Sequence, residues 1–151
     1  TKLEAANICM NAGCHMFIGN GNRKNPIKYM VEKKIFTKFI PKISTLAARK
    51  KWIVSSLSSH GTIFIDKGAS NALRNGKSLL AAGIKSISGK FDKGENILIS
   101  DLDNNKLARG LASFSSNEIG KIKGRQSNEI ERILGYSSKT EVVHKDDMVK
   151  L

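Results

Sequence analysis

The sequence that decides the fold is Gly-Ile-Lys-Ser-Ile-Ser-Gly-Lys-Phe-Asp-Lys-Gly-Glu at residues 83–95. The apolar run Asn-Ile-Leu-Ile-Ser follows it directly at residues 96–100. Glycine adopts positive φ without steric cost, so glycines between short apolar runs predict turns between short strands. This pattern is typical of a small β-barrel. Such a module usually binds a ligand or supports another domain, so the remaining sequence must indicate what the barrel is attached to.

The sequence around this stretch predicts further short elements. Strand patterns occupy residues 62–65, 97–102, 106–114 and 142–144, and Asp-Asn-Asn at residues 103–105 predicts a turn. Helical patterns occupy residues 68–73 before Gly76, residues 117–122 with Ser116 or Asn117 as cap, and residues 127–134 before Gly135. Together they predict a mainly β barrel with short helices.

The N-terminal part has a different pattern. Apolar residues at helical spacing over residues 3–10, with Gly13 after them, predict a helix. A buried strand is predicted at residues 14–18, a helix at residues 26–33 and a second strand at residues 35–40. These elements indicate the end of an α/β layer. A sheet of only two strands cannot bury its own apolar side chains. We therefore expect the other strands of this sheet to lie in missing sequence or in a partner. We also expect this part to be poorly stable when it is alone.

The positive charge is concentrated before the barrel. The chain has 151 residues and a net charge of +13, and residues 23–51 contain ten Lys or Arg against the single acid Glu32. From His60 onward, fifteen Lys or Arg face eleven Asp or Glu. A basic surface favours polyanions, although a solvated lysine-rich linker has the same composition. We predict an α/β part at residues 1–45, a connector at 46–60, the barrel at 61–139 and a C-terminal tail at 140–151.

Composition excludes several classes of protein. No apolar run approaches the roughly 20 residues that span a bilayer, and no secretory signal opens the chain, so we predict no membrane association. Cys9 and Cys14 are the two cysteines, which disfavours a disulfide framework or a zinc site and favours a reducing, cytoplasmic location. The chain begins with Thr-Lys in a helical pattern, which leads us to expect a piece of a longer protein.

Few residues are candidates for chemistry. His15, His60 and His144 have no ligand spacing, and Asp146-Asp147 could bind a cation but is more typical of an exposed polar tail. No phosphate-binding GxxxxGK motif is present. Trp52 follows three basic residues and could stack on a base, but its size favours a packing residue between the two parts. The sequence therefore predicts no metal ligand and no catalytic residue.

Five segments together resemble a known family. They are TKLEAA at residues 1–6, RKKWI at 49–53, GIKS at 83–86, GKF with GE at 89–91 and 94–95, and VHKDD at 143–147. In this order they are similar to the C-terminal part of the bacterial glutamate 5-kinases (γ-glutamyl kinases). The resemblance implies an α/β remnant of an amino acid kinase domain followed by a mainly β PUA pseudo-barrel with short helices. PUA domains were first known from RNA-modifying enzymes.

The resemblance also implies a function for the parent enzyme. That family transfers the γ-phosphate of ATP to the side-chain carboxylate of L-glutamate with Mg²⁺, in proline biosynthesis. Its Met-x-Thr-Lys segment lies against the nucleotide phosphates, which implies ATP binding by Thr1 and Lys2. The phosphate loop, the glutamate-binding residues and the main catalytic lysine of the family lie upstream of Thr1. We therefore expect that residues 1–151 alone are not an active kinase.

Two functions of the barrel stay open. It could regulate the kinase, mediate proline feedback or assemble a homo-oligomer, or it could bind RNA, with Lys85, Lys90, Lys93 and Arg109 as possible phosphate contacts. The basic excess in the connector favours the first. One departure from the family is Phe-Thr-Lys-Phe at residues 36–39, which lacks the glycine of the usual Gly-Thr-x-Phe pattern. This departure affects the local turn that the resemblance implies.

Overall fold

The computed structural model describes residues 1–55, 59–136 and 139–151. The chain forms two compact units, Thr1–Arg49 and Lys50–Leu151, which are described separately. Residues 56–58 of the predicted connector and residues 137–138 of the predicted barrel lie outside the described residues. The domain boundaries proposed from the sequence stay predictions.

The Thr1–Arg49 unit contains the four elements that the sequence predicts. They are α1 (Lys2–Asn11), β1 (Met16–Ile18), α2 (Pro26–Lys33) and β2 (Thr37–Phe39). The two strands form an antiparallel pair in which Phe17 lies opposite Lys38. Pro26 occupies the first turn of α2, where its missing N–H leaves no helical hydrogen bond unmade. The helix α3 (Thr45–Ser55) begins in this unit and ends in the next.

The first unit buries very little of its apolar surface. Of its large and small hydrophobic residues, all of which lie in described sequence, Ala6 alone is buried. The prediction of a buried first strand is wrong for this structure, since Phe17 is 49% exposed. Side chains of β1, α2 and the segment before β2 line an open apolar groove of about 550 Å³, formed by Phe17, Ile27, Met30, Val31, Lys34 and Phe36. Two short strands and two helices are too few to shield these apolar side chains from solvent.

The Lys50–Leu151 unit is mainly β, as predicted. After the end of α3 its elements are β3 (Gly61–Ile65), α4 (Lys67–Arg74), β4 (Leu79–Leu80), β5 (Ile84–Gly89), β6 (Asn96–Asp101), β7 (Lys106–Leu111), α5 (Ser116–Ile122), α6 (Ile130–Leu134), β8 (Glu141–Val143) and β9 (Met148–Lys150). Five strands form a mixed sheet in the order β5-β3-β6-β7-β9, and β4 pairs with β8 in a second, antiparallel sheet. Only the β3–β6 pair in the five-stranded sheet is parallel.

One core holds this unit together. Alternate residues of the central strands point into it, among them Ile63 and Ile65 of β3 and Ile97 and Ile99 of β6. Ile119 and Ile122 of α5 and Phe114 close the core from the helical side, and each has an exposure of 1% or less. Burial of a large apolar side chain stabilises a fold by roughly 1.5–3 kcal/mol. Residues of the strands, the helices and the connections therefore all contribute to the stability of this unit.

The stretch at residues 83–95 does form the turns that its glycines predict. Gly89 has φ +85° at the end of β5, and a Cβ there would lie 2.7 Å from the backbone oxygen of His60. Gly94 also has positive φ, at +89°. Gly83 acts differently, because a Cβ at this position would collide with the Cβ of Ala69 in α4. Two of the three glycines therefore allow turns, and the third allows close packing.

The C-terminal segment takes part in both sheets of the unit. The strand predicted at residues 142–144 forms as β8 and pairs with β4, whereas residues 148–150, predicted as part of a tail, form β9 and pair with β7 at the edge of the large sheet. Met148 and Val143 are buried there, so the segment belongs to the barrel core. The two-residue β4 and the three-residue β9 have too few residues for an alternating pattern to be visible. The connector at residues 46–60 is helical over most of its described part, within α3.

Candidate functional site

The two residues predicted to bind ATP lie at the start of α1. Thr1 is the N-cap residue, and its backbone nitrogen donates to Glu4 Oε2 over 2.7 Å. Lys2 is exposed in the first turn of the helix. The free N–H groups and the dipole at a helix N-terminus favour an anion, and Lys2 adds a positive charge at the same end. Glu4 places a carboxylate at the same helix end, so the assignment of Thr1 and Lys2 to ATP stays a prediction.

Lys85, one of the four predicted RNA contacts, has an acidic partner. Its Nζ lies 3.3 Å from Asp66 Oδ2. Asp66 caps α4 by accepting a hydrogen bond from the Ala69 backbone N–H over 2.9 Å. That hydrogen bond, followed by the interaction with Lys85, holds the pKa of Asp66 below its usual value. The positive charge of Lys85 is therefore partly neutralised by Asp66, the residue that caps α4 of the barrel.

Arg109 is also engaged within its own unit. Its Nη1 donates to the backbone oxygen of Val54 in the last turn of α3, over 3.5 Å. Asn96 acts in the same region, since its Nδ2 donates to the Ile53 oxygen over 2.8 Å in a buried position. The last carbonyls of a helix have no partner within the helix, so these two side chains satisfy part of the C-terminal end of α3. Sequence analysis missed this role of Asn96.

The four predicted RNA contacts are spread over two strands of the sheet and one connection. Lys85 lies on β5 and Arg109 on β7, and two strands of the sheet, β3 and β6, separate them. At about 4.8 Å per strand, their backbones lie roughly 14 Å apart. Lys90 and Lys93 are exposed in the connection between β5 and β6. The assignment of these residues to RNA stays a prediction.

The histidines and acidic residues do not converge on a metal site. Within residues 1–55, 59–136 and 139–151, no three His, Cys, Asp or Glu side chains lie together as metal ligands would. His60 Nε2 lies 4.0 Å from Glu95 Oε1, and His144 Nδ1 accepts a hydrogen bond from the Asp146 backbone N–H over 3.2 Å. Asp146 and Asp147 are half-buried between β8 and β9, so the interpretation of this pair as an exposed tail is wrong.

Trp52 and its neighbour Ile53 differ in exposure. Trp52 is 56% exposed on α3, whereas Ile53 is fully buried and its backbone oxygen accepts the hydrogen bond from Asn96 Nδ2. The role of Trp52 as a packing residue between the two parts stays a prediction.

A second polar arrangement ties α5 to the segment after α6. The Ser115 hydroxyl and backbone N–H both donate to Glu118 Oε2 over 2.8 Å, in the capping arrangement of α5. Tyr136 Oη donates to Glu118 Oε1 over 2.5 Å. This hydrogen bond is the main reason that the pKa of Glu118 is lowered and that of Tyr136 is raised.

No described helix is long and apolar enough to span a bilayer.

Comparison with known proteins agrees with this geometry. Residues 61–134 match the family model of the PUA domain, which defines the class of the mainly β unit. A solved PUA domain from Aeropyrum pernix K1, in a tartrate complex, has a TM-score of 0.43 and 14% identity, and covers 86% of this chain and 85% of its own.

Two relatives match the chain over its full length. A glutamate 5-kinase from Pelagibacter ubique is 58% identical over all 151 residues, and one from Paramagnetospirillum magneticum is 43% identical over 149 residues. The chain is therefore similar to part of the glutamate 5-kinases, as the sequence motifs implied. It spans 41% and 40% of the length of these two relatives.

Proposed function

We propose that this chain is the C-terminal part of an ATP-dependent glutamate 5-kinase. The parent enzyme transfers the γ-phosphoryl group of ATP to the side-chain carboxylate of L-glutamate with Mg²⁺, forming L-glutamyl 5-phosphate for proline biosynthesis in the cytoplasm. The observation that carries this proposal is the 58% identity to the Pelagibacter ubique glutamate 5-kinase across the full chain. Thr1 and Lys2 are the residues that this proposal assigns to the nucleotide.

The Thr1–Arg49 unit supports a role as the end of a larger kinase domain. Its apolar groove of about 550 Å³ and its two-stranded sheet need further secondary structure to cover them. Phosphoryl transfer depends on a phosphate cradle, metal ligands and a positioned acceptor, and Thr1 with Lys2 supplies only part of the first. We expect that residues 1–151 alone do not phosphorylate glutamate.

The barrel unit supports a regulatory or assembly role in the same enzyme. It has a core of its own, and its described His, Cys, Asp and Glu residues do not converge as a catalytic or metal site would. A self-contained module of this kind contributes through binding, either of an effector or of a second copy in a homo-oligomer. Proline feedback through this unit belongs to the same proposal.

A chimera tests the kinase assignment. The matching 41% of the Pelagibacter ubique enzyme is replaced by residues 1–151, and ADP release with L-glutamate is measured beside the isolated chain. We expect the chimera to turn over glutamate and to restore growth without proline in a strain lacking this kinase. The isolated chain should do neither. An inactive but folded chimera, or activity of the isolated chain, would contradict the proposal.

Lys2 provides a sharper arm of the same experiment. In the chimera, Lys2→Gln should lower kcat by about tenfold or more, because a cation near the transferring phosphoryl group stabilises the transition state. The matched control is Lys33→Gln, an exposed lysine at the end of α2 that should leave kcat unchanged. Equal effects of the two variants would remove Lys2 from the nucleotide site.

RNA binding by the barrel is the second candidate, supported by its membership of the PUA class. A salt titration of binding to structured RNA tests it. Binding that persists near physiological salt and discriminates between sequences would support an RNA-binding module. Weak binding without sequence preference that disappears at that salt concentration would reject it.

A further inference from the structure

The Lys50–Leu151 unit contains a cavity of about 420 Å³ into which three lysines from separate elements converge. Lys50 belongs to α3, Lys145 to the turn between β8 and β9, and Lys150 to β9. The remaining lining residues are Gly76, Asp146, Met148 and Val149. We propose that this cavity binds the phosphoryl oxygens of a small polyphosphate, a function beyond the phosphorylation of glutamate and separate from Thr1 and Lys2.

The backbone holds each of the three lysines in place. Lys50 lies one turn before Ile53 in α3. Ile53 is fully buried, and its backbone oxygen accepts a hydrogen bond from Asn96 Nδ2 over 2.8 Å. The Lys145 backbone N–H donates to Ser78 Oγ over 3.0 Å. Lys150 lies opposite Ala108 in the sheet, and its Nζ donates to the Arg74 carbonyl over 2.5 Å. Less ordering is needed to bind a ligand at groups already held in position.

The charge in the cavity is unbalanced. Among the described residues, no carboxylate forms an ion pair with Lys50, Lys145 or Lys150. Asp146 is the single acid in the lining, so the cavity has three ammonium groups against one carboxylate. Lysine ammonium groups bind phosphate as point charges, and a surplus of them in a concave site attracts polyanions.

The dimensions of the cavity favour a small ligand over a nucleic-acid strand. A volume of about 420 Å³ is within the range of roughly 300–1,000 Å³ typical of small-molecule sites. A single strand requires a basic groove that follows several nucleotides, together with aromatic rings for base stacking. Here the lining contains no aromatic residue, and Asp146 and Val149 interrupt the basic surface.

Calorimetry with inorganic pyrophosphate tests the proposal at low salt. We expect saturable one-to-one binding to residues 1–151, weakened about fivefold by each of Lys50→Gln, Lys145→Gln and Lys150→Gln, and about a hundredfold by the triple variant. Lys123→Gln removes an exposed lysine outside the cavity and should leave the affinity unchanged. Circular dichroism checks that the triple variant retains its strands.

Three results would overturn the inference. They are the absence of saturable pyrophosphate binding, an equal loss with Lys123→Gln, and displacement of pyrophosphate by a short oligouridine that binds more tightly. The last result would assign the cavity to RNA. The cavity and the kinase assignment can therefore fail independently, because the binding experiment involves no turnover of glutamate.

Discussion

The two units use apolar residues in different ways. In the Lys50–Leu151 unit, isoleucines of β3 and β6 alternate into a core with Phe114 and are almost completely buried. In the Thr1–Arg49 unit, residues of the same type, such as Ile27 and Val31 of α2, are 77% and 70% exposed. Both sequences have the periodicity of packed elements. The difference shows that periodicity identifies the face an element is built to bury, whereas burial also requires a second layer.

Hydrogen exchange should show the largest difference between the units. Amides of β3 and β6 lie in the centre of the sheet, so we expect them to exchange only on global unfolding, which costs about 5–10 kcal/mol. Amides of β1 and β2 should exchange at least about a thousandfold faster, since their two-stranded sheet covers no core. Mass spectrometry of peptides from the two units measures both rates in one sample. Equal protection would mean that the first unit is stable by itself.

Paired phenylalanine substitutions should show a smaller difference of the same kind. Phe114 is 1% exposed, so Phe114→Ala should lower the free energy of unfolding of the barrel by about 3–5 kcal/mol. Phe36 lines the open groove and is 38% exposed, so Phe36→Ala should leave the barrel transition unchanged within about 0.5 kcal/mol. Urea denaturation followed by circular dichroism measures both. A shift of the barrel midpoint by Phe36→Ala would mean that the first unit contributes to the stability of the barrel.

Local sequence signals predicted most elements of the barrel. Residues 62–65 and 97–102 are short, largely apolar runs that predict strands, and the structure forms β3 and β6 there. Gly135 predicts the end of a helix and has φ +78° after α6. These features depend on neighbours a few residues away, which the sequence shows directly. β9 was missed because it is three residues long and is stabilised by pairing with β7, about forty residues earlier in the chain.

The candidate sites were less predictable for a related reason. The sequence predicts Lys85 as a possible RNA contact. It does not reveal the ion-pair partner Asp66, because this residue is nineteen positions away in sequence. The cavity of Lys50, Lys145 and Lys150 joins residues from the two ends of its unit. Nothing in their local sequence distinguishes them from other surface lysines. Thr1 and Lys2 were identified through the family motif alone, since two residues at the start of a helix have no distinctive pattern.

The smallest predicted effect concerns the ion pair between Lys85 and Asp66. Asp66→Asn keeps a side-chain oxygen that can cap α4, because Asn is as good an N-cap as Asp, and removes the charge that attracts Lys85. The pKa of Asp66 is lowered in the folded state, so its charge stabilises the fold above the unfolded pKa of about 3.9. This stabilisation is lost as the pH falls through the folded pKa.

Wild type should therefore be more stable than Asp66→Asn by a few tenths to about 1 kcal/mol at neutral pH, since the pair is partly exposed. Urea denaturation at a series of pH values should show this difference shrinking towards zero as Asp66 becomes protonated. Asp103→Asn is the matched control at an exposed turn residue, and its effect should stay within about 0.5 kcal/mol at each pH. If the Asp66→Asn difference were independent of pH, the charge of Asp66 would not stabilise the barrel, and Lys85 would remain available to an anionic ligand.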